Sequence, residues 1–301
     1  MTDLREREPI EDDVASPKLE RKARRRSSWR GFMHAAPAYV YLTVFFTLPL
    51  IIVFVFSFAT RSNIGLPSLS DWNFDSWTRL AHPLVRTIAI RSFWMATFNT
   101  LLCLVLAYPF AYWIATRSKQ LTRTLLLIAV LVPFWSNFLV RTYAWRMLLD
   151  SDGYITQVGQ ALGLWDRMLF TAPAVFIGLV YGYLPFMVLP LYAALERMDW
   201  DLVEAGRDLF ASGPKAFQKI TLPLSKPGII AGSILVFIPS LGAYVTPDIL
   251  GGGKTNLLGN FIALQFGSAA NWPFGSALSS TILIVMLFAT VVYFRAGGRT
   301  V

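Results

Sequence analysis

Six apolar stretches, at residues 35–59, 93–115, 125–149, 174–195, 229–250 and 274–294, recur along the chain with polar segments between them. Each is close to the ~20 apolar residues that cross ~30 Å of hydrocarbon. Only closed hydrogen-bonding structures persist there, and a helix satisfies its own backbone. The whole sequence is 55% hydrophobic with a mean hydropathy of +0.51, above the about 45–50% apolar content of soluble domains. The sequence therefore predicts an all-α polytopic membrane protein with six transmembrane helices and both termini on one side. The first stretch starts too far from the N-terminus, runs too long and lacks a small-residue cleavage site, so it reads as a span and not a cleavable leader.

Charge sets the expected orientation. Of the 27 Lys and Arg, 19 fall in residues 1–34, 117–123, 196–226 and 295–301, and 8 fall elsewhere. The excess of Lys and Arg in cytoplasmic loops puts both termini and the segment 196–226 in the cytoplasm. The net charge of +9 gathers at membrane edges, above all in Arg21-Lys22-Ala23-Arg24-Arg25-Arg26, which suits topology and anionic lipid better than nucleic acid. The expected plan is a basic, unstructured segment at 1–34, a six-helix domain at 35–295 and a cytoplasmic tail at 296–301. The one cysteine, Cys103, lies inside an expected span and reads as a packing residue. His34 and His82 stand alone, with no ligand spacing for a metal.

Within 196–226 there are five acidic and five basic residues, which cannot rest in hydrocarbon. Asp199 or Asp201 is placed to cap a helix start, with Glu204 at the capping-box position of Asp201. Val203, Ala205, Leu202 and Leu209 supply an apolar side, and Ser212 is placed to cap a second helix that Leu222-Pro223 ends. Ala205 and Gly206 keep one face small for a close-fitting partner, with Glu204, Arg207 and Asp208 to fix orientation.

Glu204-Ala205-Gly206-Arg207-Asp208-Leu209, followed by Ile220-Thr221-Leu222-Pro223, resembles the EAA loop of ABC-importer permeases. The likeness covers residues 35–294. It is similar to the spermidine/putrescine (PotB-like) type in two further runs: 132–145, with Pro133, Trp135, Asn137, Arg141, Tyr143 and Trp145, and 238–252, with Pro239, Tyr244, Pro247 and Asp248. The resemblance implies a type I importer permease fold in the bacterial inner membrane. It implies that Glu204, Ala205, Gly206, Arg207, Asp208, Leu209, Gly213, Leu222 and Pro223 form the loop that couples to a cytoplasmic ATPase. The implied partners are a second, PotC-like permease, two copies of a PotA-like ATP-binding subunit and a PotD-like periplasmic binding protein. ATP and Mg belong to the ATPase, and the chain itself is not an enzyme and binds no cofactor. The family pattern has glycine six residues after the glutamate, where this chain has Phe210. Gly213 is the alternative source of the break, which lengthens the first helix and shifts the turn.

A path for a cation is compatible with these residues. Trp135, Tyr143, Trp145 and Tyr244 present aromatic faces that attract an ammonium by ~0.5–2 kcal/mol; Asp248 adds a counter-charge, and Asn99 and Asn137 add neutral contacts. The same aromatics also fit an interfacial belt, and Arg141 calls for an acid or a carbonyl, Asp248 among them. Pro185, Pro190, Gly178 and Gly182 are expected to bend the fourth span. Gly251-Gly252-Gly253-Lys254-Thr255 looks like a phosphate loop but has Asp248 where its first glycine belongs. An importer of another small solute, such as an amino-acid derivative, an opine or ferric iron, shares the loop. A transporter independent of ATP needs acids buried mid-span, and none of the six stretches has one near its centre.

Overall fold

A computed structural model describes residues 35–62, 67–117, 119–253 and 255–296. The expected basic segment 1–34 and the end of the tail lie outside them. The chain divides into two units, residues 1–55 and 56–301. The described part of the first is all but the last residue of α1, Ala35–Phe56, 22 residues of high hydropathy with large apolar side chains such as Phe45 and Phe46 exposed, as suits a lipid-facing span.

The second unit opens with a small antiparallel hairpin, β1 Thr60–Arg61 and β2 Pro67–Ser68, in which Thr60 faces Ser68, and a short α2, Asp75–Thr78. The helices α3 Pro83–Ala115, α4 Gln120–Trp135, α5 Phe138–Leu149, α6 Tyr154–Ala161 and α7 Ala172–Glu196 follow. After them come α8 Asp201–Asp208, α9 Gly213–Leu224, α10 Lys226–Leu241, α11 Val245–Gly251, α12 Leu258–Phe266 and α13 Trp272–Ala296.

By length and composition three helices, α1, α3 and α7, are able to cross a membrane, and up to five spans result if each bent pair counts as one. Two expected spans are broken. The stretch 125–149 is not one helix: α4 and the segment Phe138–Ala161 meet at 88°. Ser136 and Asn137 are both extended there. The exposed backbone groups at the break are met locally, since Ser136 Oγ donates to the Pro133 carbonyl at 2.7 Å and Asn137 Oδ1 accepts from Leu139 N at 2.8 Å. The stretch 229–250 also divides. Its helix begins earlier, at Lys226, stops at Leu241, and leaves Val245–Gly251 as a separate helix beyond Gly242. By contrast α7 runs unbroken through Pro185 and Pro190.

The core is a packed trio of α3, α7 and α10. Cys103, Ala107, Ala111 and Ile114 of α3, Met187, Val188, Leu191 and Leu195 of α7, and Val236 of α10 are all buried together. Small residues let the backbones approach. A Cβ at Gly232 would lie 2.7 Å from Met187 Sδ, and one at Gly178 would lie 2.6 Å from Thr246 of α11. Gly228 and Gly232 form the Gly-x-x-x-Gly spacing that favours close helix pairs in membranes. Polar ties cross the trio as well. Asn99 Nδ2 of α3 donates to Ser240 Oγ of α10 at 2.8 Å, and outside the trio Ser92 Oγ of α3 accepts from Leu258 N of α12 at 2.8 Å.

Candidate functional site

The segment 201–224 folds back on itself as two helices around a small core of its own. Val203 of α8 and Ala216 of α9 are buried with Met198, and Trp200, Ala211 and Ile220 pack on them. Gly206 sits against Ile220, whose Cδ1 would be 2.4 Å from an added Cβ, so the small face faces the other helix of the pair. Glu204, Ala205, Arg207 and Asp208 lie on the exposed side.

The helix starts differ from the capping expected. Trp200, not Asp201, precedes α8, and no capping box forms; Asp199 Oδ1 instead accepts from Asp201 N at 3.0 Å. Ser212 precedes α9 without a side-chain cap. Pro223 does not end α9 either. The five residues Phe217–Thr221 form a wide π turn, which relaxes the hydrogen-bond register where Pro223 lacks an amide, and the 65° bend falls between Leu224 and Lys226.

The turn between α8 and α9 is where Phe210 matters. The backbone of Phe210 has φ 61°, in the left-handed region. Phe210 N donates to the Arg207 carbonyl at 2.9 Å and Ala211 N to the Gly206 carbonyl at 3.1 Å. This pair of bonds is a Schellman closure, which ordinarily takes glycine at the left-handed position. The first helix is therefore not lengthened, and Gly213 is the first residue of α9, not the turn. Phe210 makes the turn in glycine's place.

Aromatic contacts fasten the loop to the core. Tyr112 of α3 meets Trp200 edge-on at 5.6 Å, and Tyr108 and Tyr112 meet Phe217 at 5.4 and 6.3 Å. Tyr108 also hydrogen-bonds Ser225 at 2.8 Å. Sequence reasoning passed over Trp200 and Phe217, although large aromatics in a charged loop were a signal that it is seated on something. Displacing α8 and α9 must therefore move the end of α3 or break these contacts.

Of the residues suggested for a cation path, Trp135 ends α4, Asn137 precedes α5 and Tyr143 lies on it, and Tyr244 precedes α11 and Asp248 lies on it. Helix α5 packs against α11. Asn99 is instead buried on α3, bonded to Ser240, and Trp145 is half-buried against Tyr181. Trp135, Asn137, Tyr143, Tyr244 and Asp248 are all exposed on this chain, Trp135 by 83%. Asn137 is engaged as the cap of α5. Arg141 does not pair with Asp248. Its guanidinium lies 4.5 Å over the ring of Phe134, within 6.0 Å of Phe138 and Tyr181, and its Nε and Nη1 are buried without a hydrogen-bond partner. The Gly251-Gly252-Gly253 run follows a helix, α11, where a phosphate loop needs a strand.

Comparison with known proteins agrees with this architecture. The chain is 43% identical over 259 residues, 85% of its own length and 94% of the relative's, to the spermidine/putrescine transport system permease protein PotB of Escherichia coli (strain K12). It is 39% identical, over 85% of its length and 90% of the relative's, to the protein of the same name from Haemophilus influenzae. Among solved structures, a permease chain of a bacterial alginate ABC transporter in complex with its alginate pentasaccharide-bound periplasmic protein superposes with a TM-score of 0.70. That likeness covers 90% of this chain and 96% of the other at 16% identity, which speaks for the fold. A family model described as binding-protein-dependent transport system inner membrane component matches residues 29–297. The chain belongs to that family of inner-membrane transport components.

Proposed function

We propose that the chain is the permease subunit of an ATP-driven importer of polyamines, spermidine or putrescine, and forms half of its translocation path. Membership of the family makes it a transport subunit and not an enzyme. An importer of this kind works with a partner permease, an ATPase and a periplasmic binding protein. In this reading the three are PotC-like, PotA-like and PotD-like, with two ATPase copies that hold the ATP and Mg. The observation that carries the mechanism is the aromatic seat of α8 and α9 on α3, through Trp200, Phe217, Tyr108 and Tyr112.

The Lys and Arg bias supports a cytoplasmic position for both termini and this loop. Closure of the ATPase dimer on ATP would carry the loop and, through the aromatic seat, the end of α3, opening the path outward. Hydrolysis would reset it. The exposed Trp135, Tyr143, Tyr244 and Asp248 support a cation path completed by the second permease, in which ring faces and a carboxylate replace the water around each ammonium.

The test is uptake of radiolabelled spermidine and putrescine by proteoliposomes holding the whole complex, with and without internal ATP. ATP-dependent uptake that falls in Glu204→Ala supports coupling through the loop, and a selective fall in Asp248→Ala supports the cation path. Uptake without ATP sinks the ATP-driven reading; an ATPase-active complex that ignores polyamines moves the substrate to another solute.

A further inference from the structure

Among the described residues two phenylalanines, Phe170 and Phe210, hold left-handed backbone at φ 64° and 61°, a region disfavoured for any residue with a Cβ. Their side chains differ. The ring of Phe170 packs into the core beside Leu169, Val175 and Leu250 and fills the space over Gly252, where a Cβ would meet it at 2.2 Å. Internal packing therefore accounts for phenylalanine at position 170. The ring of Phe210 is 98% exposed, and its neighbour Leu209 is 81% exposed. Among the described residues none packs on the Phe210 ring, so the turn accounts for the backbone and leaves the wet aromatic unexplained.

Resting on the reading of α8 and α9 as the ATPase-coupling loop, we propose that Phe210 is an aromatic anchor that enters an apolar pocket of the cytoplasmic ATPase. The Schellman turn aims it. Its two backbone bonds and the core of Val203, Ala216 and Ile220 fix the backbone that carries the ring at the tip, so little backbone freedom is left to lose on binding. Beside it Arg207 and Asp208 are exposed as a polar rim. A buried aromatic ringed by polar contacts is the usual form of a binding hot spot. Glycine at this position would make the same turn with less strain and offer no ring, so the side chain, not the turn, is what phenylalanine adds.

The experiment measures affinity of the purified ATPase subunit for the permease pair in nanodiscs, together with the thermal midpoint of the pair. Phe210→Gly and Phe210→Ala are each expected to weaken binding by about 30-fold, with the midpoint of Phe210→Gly equal to or above that of wild type. Wild-type affinity in both variants, with weakened binding in Glu204→Ala, overturns the anchor and leaves the loop as the docking element. Wild-type affinity in all three overturns the coupling-loop reading along with it. A lower midpoint in Phe210→Gly also overturns the proposal, because the ring would then be serving the fold.

Discussion

Gly228 of α10 lies so close to Ala194 of α7 that a Cβ on the glycine would sit 2.6 Å from the alanine methyl and 2.7 Å from the Pro190 carbonyl. Both neighbours are hard to move: one is backbone and the other is a methyl fixed to a buried helix. Gly228→Leu is therefore expected to force α7 and α10 apart and to cost about 1–3 kcal/mol or more, seen as a thermal midpoint several degrees lower in nanodiscs. An unchanged midpoint would show that the two helices can part freely.

Gly206 presents the opposite case. Its close neighbour is only the tip of Ile220, the next atom of which would be 3.9 Å from an added Cβ. Rotation of the isoleucine clears the space, and helical glycine costs about 1 kcal/mol relative to alanine. Gly206→Ala should thus leave the fold equal or slightly more stable and keep ATP-dependent uptake near wild type. Gly206→Trp should separate α8 from α9 and abolish uptake while the membrane core still forms. Equal uptake by both variants would mean that the helix pair need not stay closed.

Cys103 is fully buried among α3, α7 and α10, and its Sγ faces the Val180 carbonyl at 4.0 Å. As the chain's one cysteine, it should react with a maleimide dye only when the trio opens. The labelling midpoint on heating should match the unfolding midpoint followed by intrinsic fluorescence. Rapid labelling of the folded protein would place Cys103 in an accessible channel.

The membrane class, the α3 and α7 spans and the pair of short helices at 201–224 were legible because each rests on a local pattern: an apolar run, a charge bias or a short motif. The breaks at 136–137 and 242–244 were not. The dip in hydropathy at either point is too short to end an apolar run, and the polar groups that satisfy the first break, Ser136 and Asn137, act within three residues of themselves. The turn at Phe210 was misjudged for a related reason. A glycine rule locates a turn by propensity, whereas the pairing of Val203 with Ala216 and Ile220 fixes where α8 must reverse, and the residue there takes the conformation required. Arg141 was expected to find an acid or a backbone carbonyl because charge in a span usually does; in the fold its guanidinium lies over the ring of Phe134.

That placement of Arg141 yields the last prediction. Two of its nitrogens are buried without partners, and an unsatisfied buried group costs about 1–3 kcal/mol, more when charged. The stack on Phe134 at 4.5 Å returns ~0.5–2 kcal/mol. The balance does not favour the charge, so Arg141→Met, similar in length and apolar, should leave the thermal midpoint unchanged or raise it, as apolar replacement of a buried ion pair often does. A charge held at a net cost beside Phe134, Phe138 and Tyr181, on the same helix as Tyr143, is more readily explained by transport than by folding. Arg141→Met should therefore alter spermidine uptake while the protein stays folded, and Arg141→Lys, which keeps the charge but loses the planar stack, should lower the midpoint. A sharp fall in stability with Arg141→Met would show instead that the guanidinium holds the α4–α5 bend together.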